Sequence, residues 1–297
     1  MGMRLTSDQL LKYGKELCTV LAAKKDAGVD AALLTRIRDN EQADQAAIEE
    51  QRKLVETLKG QLAKSKAPEA LNLMGVADYL VKRSVWIFGG DGWGYDIGYG
   101  GLDHVLASGK NVNVLLMDTE VYSNTGGQMS KATPTGAIAK FAASGKGIGK
   151  KDLGMMAMSY GYVYVARVAM GYNRVQTIKA LQEAEAYDGP SIVMAYSHCI
   201  AHGIDMTTGM NQQKAAVTSG MWPLYRYNPL LTDEGKNPFT MDSREPSTAV
   251  EEYIYAENRY RALKRSNPER AAMLLESIKK GVERQYREYK YLADRPF

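Results

Sequence analysis

The run GGDGWGYDIGYGG, Gly89 to Gly101, sets carboxylates among seven glycines in thirteen residues, with Asp91 inside the first cluster. Glycines let backbone N–H groups come close to a diphosphate, and a following helix N-terminus favours its negative charge. A bare aspartate beside a phosphate is repulsive. It becomes useful when a divalent cation lies between them. Mg²⁺ wants six oxygens, accepts one or two carboxylates from a protein, and takes the remainder from phosphate and water. Asp91 is the charged candidate. A second loop, DTEVYSNTGGQ (Asp118 to Gln128), offers uncharged donors at Thr119 Oγ1, the Val121 carbonyl and Asn124 Oδ1.

Both loops follow short apolar runs that read as strands, SVWIF (84–88) and NVNVLLMD (111–118). Two more follow, YVYVARV (162–168) and SIVMAY (191–196). Between them lie helical patterns: Leu102, Val105 and Leu106 on one face, a short helix within 152–160, and a longer one over 173–187 closed by Gly189-Pro190. Strands alternating with helices predict an α/β fold built on a parallel sheet flanked by helices. In such a sheet, ligands bind beyond the carboxyl ends of the strands, where both oxygen-bearing loops emerge. A helix over 212–219 ends this region, and WPLYRYNP is expected to leave the sheet.

The flanks read differently. In the first eighty residues, Ala31, Leu34 and Ile37, then Leu54, Leu58 and Leu62, recur at helical spacing. The polar stretch DNEQADQAAIEEQRK between them reads as solvated, and Pro68 opens a further helix. The tail is helical over 249–264 and 268–293. The expected organisation is a helical lead-in at 1–83, a cofactor-binding α/β domain at 84–230, and a C-terminal helical extension at 231–297.

Composition narrows the class. The 297 residues carry 38 basic against 34 acidic side chains, a mild net charge of +4 that does not mark a nucleic-acid binder. No stretch approaches the roughly 20 apolar residues of a membrane span. The start lacks a secretory apolar core, and two cysteines, Cys18 and Cys199, fit a reducing compartment. The chain reads as cytoplasmic.

A glycine fingerprint for a nicotinamide cofactor, or a purely structural turn, would also follow a first strand. An Asp inside the turn and an oxygen-rich loop after the next strand disfavour both. GDG alone is a weak signal, and the pair of loops is a strong one. Cys199 and His202 allow a zinc reading, but no second ligand pair supports it.

GDG followed after nearly thirty residues by an oxygen-rich loop resembles the thiamine diphosphate motif. The longer runs GGDGWGYDIGYGGLDHVLASG, NVNVLLMDTEVYSNTGGQMSKATPTGAIAKFAASGK, KKDL, YGYVYVA and SGMWPLYRYNP closely resemble the C-terminal thiamine diphosphate domain of pyruvate:ferredoxin (flavodoxin) oxidoreductase. The resemblance runs from about Pro68 and is densest over 84–230, while the first sixty residues are only generically similar. It implies the thiamine diphosphate-binding fold. It implies Mg²⁺ ligation by Asp91, Thr119 and the Val121 carbonyl. Asn124 would be a catalytic residue facing cofactor and substrate, and Gly90, Gly92 and Trp93 would line the diphosphate end.

The same resemblance implies a [4Fe–4S] cluster whose fourth ligand matches Cys199 in YSHCI. Without it, Cys199 reads as a core thiol. The family's other three cysteines are missing here, as are the pyrimidine-binding domain and the ferredoxin-like domain. The implied reaction of the complete enzyme is oxidation of pyruvate with coenzyme A to acetyl-CoA and CO₂, with electrons passed to ferredoxin or flavodoxin, in a homodimer. This chain would be a fragment or split subunit, inactive alone. A related 2-oxoacid:ferredoxin oxidoreductase subunit and a non-catalytic cofactor-binding fragment remain the alternatives. The apolar residues Trp86, Trp93, Tyr95, Met155, Met156 and Met158 are expected to include a partner interface.

Overall fold

The computed structural model describes residues 1–24 and 26–296. Two compact units divide the chain, Met1–Val85 and Trp86–Phe297. The first is helical: Gly2–Ala23, Ala31–Asp39, Gln45–Leu62 and Pro68–Val76, ending in a tight turn at Ala77–Leu80. Asp30 and Asp44 cap the second and third helices by accepting from Ala32 N and Ala47 N. Leu17, Leu21, Leu34, Ile37, Leu58, Leu73 and Leu80 form its core together with Cys18. Burial pushes the Cys18 thiol up to about 11, so it is an inert core group. The polar stretch expected to be solvated is not wholly so. Gln42 and Gln51 are buried, and both donate to the Leu80 carbonyl, which the end of its helical turn leaves unsatisfied.

In the second unit, six strands form one sheet: β1 (Trp86–Gly90), β2 (Asn113–Asp118), β3 (Tyr164–Val168), β4 (Ser191–Tyr196), β5 (Tyr225–Tyr227) and β6 (Phe239–Met241), in the order β1-β2-β4-β3-β5-β6. The first four are mutually parallel, and β5 and β6 add antiparallel to β3. Alternation splits each strand between two faces. Val114, Leu116, Val165, Ile192 and Met194 enter the larger core, whereas Tyr164, Ala166, Val168 and Val193 pack with Ala180 and Ala184 of helix Arg174–Ala186 on the other face.

Four expectations need correction. The first strand starts two residues later than SVWIF and consumes Gly89 and Gly90. As an edge strand it is half open, with Phe88 64% exposed. WPLYRYNP does not leave the sheet. A left-handed Gly220 (φ 77°) turns the chain back after helix Gly209–Thr218, and Tyr225-Arg226-Tyr227 pairs with β3, anchored by Arg226 to Glu183 and Asp242 at 2.7 and 2.8 Å. The tail is not a separate layer. It contributes β6, and Tyr253, Ile254, Tyr260, Ile278 and Tyr289 join the core of the sheet. The helix expected over 249–264 breaks into Val250–Ile254 and Asn258–Ser266. The break places Glu257 and Arg259 inward, both buried and paired at 2.6 Å.

Candidate cofactor site

The strand register aligns Gly90 with Met117 and Asp118 with Tyr196, so the segments after β1, β2 and β4 all leave the same edge of the sheet. Asp91 follows β1 directly and is 1% exposed. Its Oδ1 accepts from Thr119 Oγ1 at 2.7 Å, and its Oδ2 accepts from Ser130 Oγ at 2.9 Å. Thr119 Oγ1 also lies 3.0 Å from the Val121 carbonyl oxygen. One hydroxyl proton cannot serve both acceptors fully. Three oxygens from two loops therefore converge, one charged and two neutral, which is the donor chemistry of a hard cation.

A backbone feature creates this convergence. Glu120, between the two neutral donors, sits at φ 60°, in the left-handed region that a non-glycine residue enters at a cost of about 1 kcal/mol or more. Everything around it is fixed. Its N–H donates to Asp118 Oδ1 at 3.0 Å, and its carbonyl accepts from Thr133 Oγ1 at 2.6 Å. Its carboxylate meets Arg259 Nη2 at 2.7 Å and Lys150 Nζ at 3.3 Å.

The pairs continue as a buried network. Lys150 Nζ is 2.7 Å from Asp118 Oδ2, which also accepts from Tyr95 OH at 2.7 Å. Arg259 Nε is 2.6 Å from Glu257, which also accepts from Gln212 at 3.1 Å. Burial lifts Glu120, but the charges of Lys150 and Arg259 outweigh it and hold the carboxyl down at about 2. Burial and the Arg259 charge depress His202, so its ring is neutral. Its Nε2, 2.6 Å from the Thr119 carbonyl, is then the protonated nitrogen by assignment from its partner. Counted over Asp91, Asp118, Glu120 and Glu257 against Lys150 and Arg259, the network carries two negative charges in excess. Burial, then the Asp118 charge, pushes Asp91 up to about 6. A dication beside Asp91 would cancel the excess.

Gly90, Asp91, Gly92, Trp93, Thr119, Val121 and Asn124, all expected from the sequence, line one cavity of about 370 Å³ together with Tyr122 and Ser197. Asn124 is exposed there, and its side chain makes no hydrogen bond among the described residues. Cys199 lies just past β4 and outside the cavity wall. Its Sγ is 3.0 Å from Ser123 Oγ and accepts from Ala201 N at 3.4 Å. Among the described residues no three His, Cys, Asp or Glu side chains converge as metal ligands, and His202 is engaged with Thr119, so the zinc reading finds no support.

The glycine run serves the protein as much as a ligand. A Cβ at Gly89 or Gly98 would stand 2.3 or 2.1 Å from the Trp93 ring, and one at Gly92 would stand 2.5 Å from the Tyr122 ring. The bare backbone lets Trp93 fold back inside a π-helical turn, Gly92–Ile97, closed by Gly98 N–H to the Trp93 carbonyl at 2.8 Å. Gly98→Ala is expected to cost about 1–3 kcal/mol by overpacking. Gly100→Ala, with no atom within 4 Å of the added carbon, should be neutral or gain about 0.5–1 kcal/mol in its helix. Paired thermal unfolding curves check both.

Ser130, Lys150, Glu257 and Arg259 were not candidates from the sequence. Ser130 and Lys150 sit within or beside quoted motif runs, but the pairing of Arg259 with Glu120 spans 139 positions and leaves no local signal.

Known proteins resemble this chain over the same region. The sequence profile of the thiamine pyrophosphate enzyme C-terminal TPP binding domain matches residues 72–195. The pyruvate-flavodoxin oxidoreductase of Nostoc sp. is 56% identical over 300 residues, covering 99% of this chain and 25% of its own length. That of Rhodospirillum rubrum is 48% identical over 99% of this chain and 24% of its own length. The pyruvate:ferredoxin oxidoreductase of Moorella thermoacetica is 60% identical over 217 residues, 73% of this chain and 18% of its own length. The chain thus spans about a quarter of such relatives. Similarity over 99% of the chain also takes in the first sixty residues, whose likeness had looked only generic. The chain carries the C-terminal TPP binding domain of thiamine pyrophosphate enzymes and matches, over nearly its whole length, about a quarter of the pyruvate-flavodoxin oxidoreductases.

Proposed function

We propose that this chain supplies the Mg²⁺–diphosphate half of the cofactor site in an enzyme that converts pyruvate and coenzyme A to acetyl-CoA and CO₂, reducing ferredoxin or flavodoxin. The observation that carries the reading is the convergence of Asp91 Oδ1, Thr119 Oγ1 and the Val121 carbonyl. Those three oxygens would hold Mg²⁺, and phosphate oxygens would complete its shell. Gly90 and Gly92 bring the backbone to the diphosphate, and Trp93 walls the cavity. Asn124, exposed and without a partner among the described residues, presents its amide to cofactor and substrate. Thiamine diphosphate, when bound, supplies the carbon acid needed to cleave a bond next to a ketone.

A [4Fe–4S] cluster takes four thiolates, and these residues do not fit it by themselves. Cys199 offers one, and Cys18 is a core thiol. We therefore assign Cys199 as one ligand of a cluster completed from outside these residues, and turnover by the 297 residues alone is not expected. Tyr95 belongs to the core, so the partner surface falls to the exposed Met155 and Met156 and to Phe88 on the sheet edge, and the resemblance to the family points to a cytoplasmic homodimer. Among the described residues, no helix is long and apolar enough to cross a membrane.

The test is a pyruvate- and coenzyme A-dependent assay with an artificial electron acceptor, run on the chain alone and then joined to the remaining domains of a full-length relative. Activity should appear only in the joined protein. There, Asn124→Ala should reduce kcat by about 10²-fold or more, and Cys199→Ser should slow acceptor reduction while leaving thiamine diphosphate affinity intact. Full turnover with Asn124→Ala would remove its catalytic role.

A further inference from the structure

Behind the loop that carries Thr119 and Val121 lies a second cavity of about 350 Å³, reached by Glu120, Lys150, Asp152, Arg167 and Gly281. Arg167 comes from β3 and is 6% exposed. Its guanidinium lies 3.8 Å from the centre of the Trp222 ring, itself 1% exposed and fixed by an indole N–H to the Val168 carbonyl at 3.1 Å. Among the described residues, no carboxylate stands within 4.0 Å of it, and none of its N–H groups has a hydrogen-bond acceptor. The nitrogens of this guanidinium are not sealed off, so the five donors of its planar fork, which stacking on one ring leaves unsatisfied, open onto the cavity.

The other lining groups are already committed. Lys150 binds Asp118 and Glu120. Glu120 is also held by Arg259. Both oxygens of Asp152 accept, from Met155 N at 2.9 Å and Tyr289 OH at 2.5 Å. Arg284 and Glu288 are exposed and balance each other in charge. The unmet demand in the cavity is therefore for hydrogen-bond acceptors facing the Arg167 fork, beside an Asp152 carboxylate that acts on it only through space. The volume of about 350 Å³ is that of about twelve waters at roughly 30 Å³ each, enough for a small ligand.

We propose that this cavity binds a small oxyanion, a carboxylate or a phosphate, received by the fork of Arg167 over the Trp222 ring. The planar, bidentate fit of guanidinium to either group is the reason for the class. The site is separate from the Asp91 cavity and independent of the cofactor reading. Gly281 gives access to it: no atom lies within 4 Å of where its Cβ would stand, so the helix Pro268–Asp294 leaves the space open at that point.

Thermal unfolding of the chain in sodium phosphate and in sodium acetate, each replacing sodium chloride at constant ionic strength, tests this. One of the two should give a saturable rise of a few degrees, which also separates phosphate from carboxylate. Phosphate can enter the Asp91 cavity as well, so the deciding quantity is the difference from two variants. Arg167→Met and Gly281→Leu should each remove the same part of the rise while keeping stabilisation by thiamine diphosphate with Mg²⁺. If neither anion exceeds chloride, or if Arg167→Met responds like the unaltered chain, the proposal fails and the cavity holds water only. If the variants do not fold, the Trp222 indole N–H resonance of the unaltered chain decides. It should shift in step with the anion titration, and a resonance that stays fixed while the unfolding midpoint moves places binding elsewhere.

Discussion

Arg259→Met is expected to lower stability by about 3–5 kcal/mol and to weaken Mg²⁺ at a site to which Arg259 contributes no ligand. The stability loss follows from leaving Glu120 and Glu257 buried with a charge removed, and breaking such a pair costs about that much. For a unit of this size the midpoint should fall by roughly 2–4 °C per kcal/mol. The metal effect follows from Glu120, whose left-handed backbone sets Thr119 Oγ1 and the Val121 carbonyl 3.0 Å apart. Glu120→Gln is the gentler variant, since it keeps the side-chain shape and removes the charge that Arg259 and Lys150 hold. Because the folded Glu120 carboxyl is depressed to about 2 from 4.5, its stabilisation is complete above pH 4.5 and is lost as pH falls toward 2. The Gln variant should therefore be less stable at pH 7 and match the parent near pH 2. Urea unfolding across that range, with Mg²⁺ titrations at pH 7, reads both effects. Equal Mg²⁺ affinity in both variants would reduce the network to scaffolding.

Asp91→Asn should act in the opposite direction on the metal-free chain. The folded carboxyl titrates at about 6 against 3.8 unfolded, so the folded state holds that proton more tightly. Its contribution is fully present below pH 3.8 and is lost as pH rises through 6. Asparagine resembles the protonated form. Without Mg²⁺ the variant should be more stable than the parent above pH 6, by on the order of 2–3 kcal/mol, with the gap closing below pH 4. This gain has a functional cost, since a site that is destabilising when empty of cation is one that a cation stabilises. Apparent Mg²⁺ affinity of the parent should fall as pH drops below 6, where protons compete for Asp91.

How much of this could be read from sequence depended on distance along the chain. Asp91, Thr119, Val121 and Asn124 were legible because each follows a strand within a few residues, and parallel strands deliver their ends to one edge. Cys199 emerges at that same edge after β4 and touches Ser123. The glycine run was legible as close approach, but its nearest neighbours are the rings of Trp93 and Tyr122, which spacing cannot reveal. WPLYRYNP was misread because three residues of Tyr-Arg-Tyr give too short an alternation, and only Gly220 and the Arg226 ion pairs return them to the sheet. The charge network was invisible because Lys150 and Arg259 look like ordinary surface cations until residues far apart in sequence bury them.

The central claim is that Asp91, Thr119 and Val121 hold Mg²⁺ against a diphosphate. Thermal unfolding of the chain at millimolar thiamine diphosphate, titrated with Mg²⁺, tests it directly, because even weak binding raises the midpoint once ligand exceeds Kd. The midpoint should rise only with thiamine diphosphate and Mg²⁺ together, and the rise should be absent in Asp91→Asn. A rise of the same size in Asp91→Asn, with the same Mg²⁺ dependence, would contradict it.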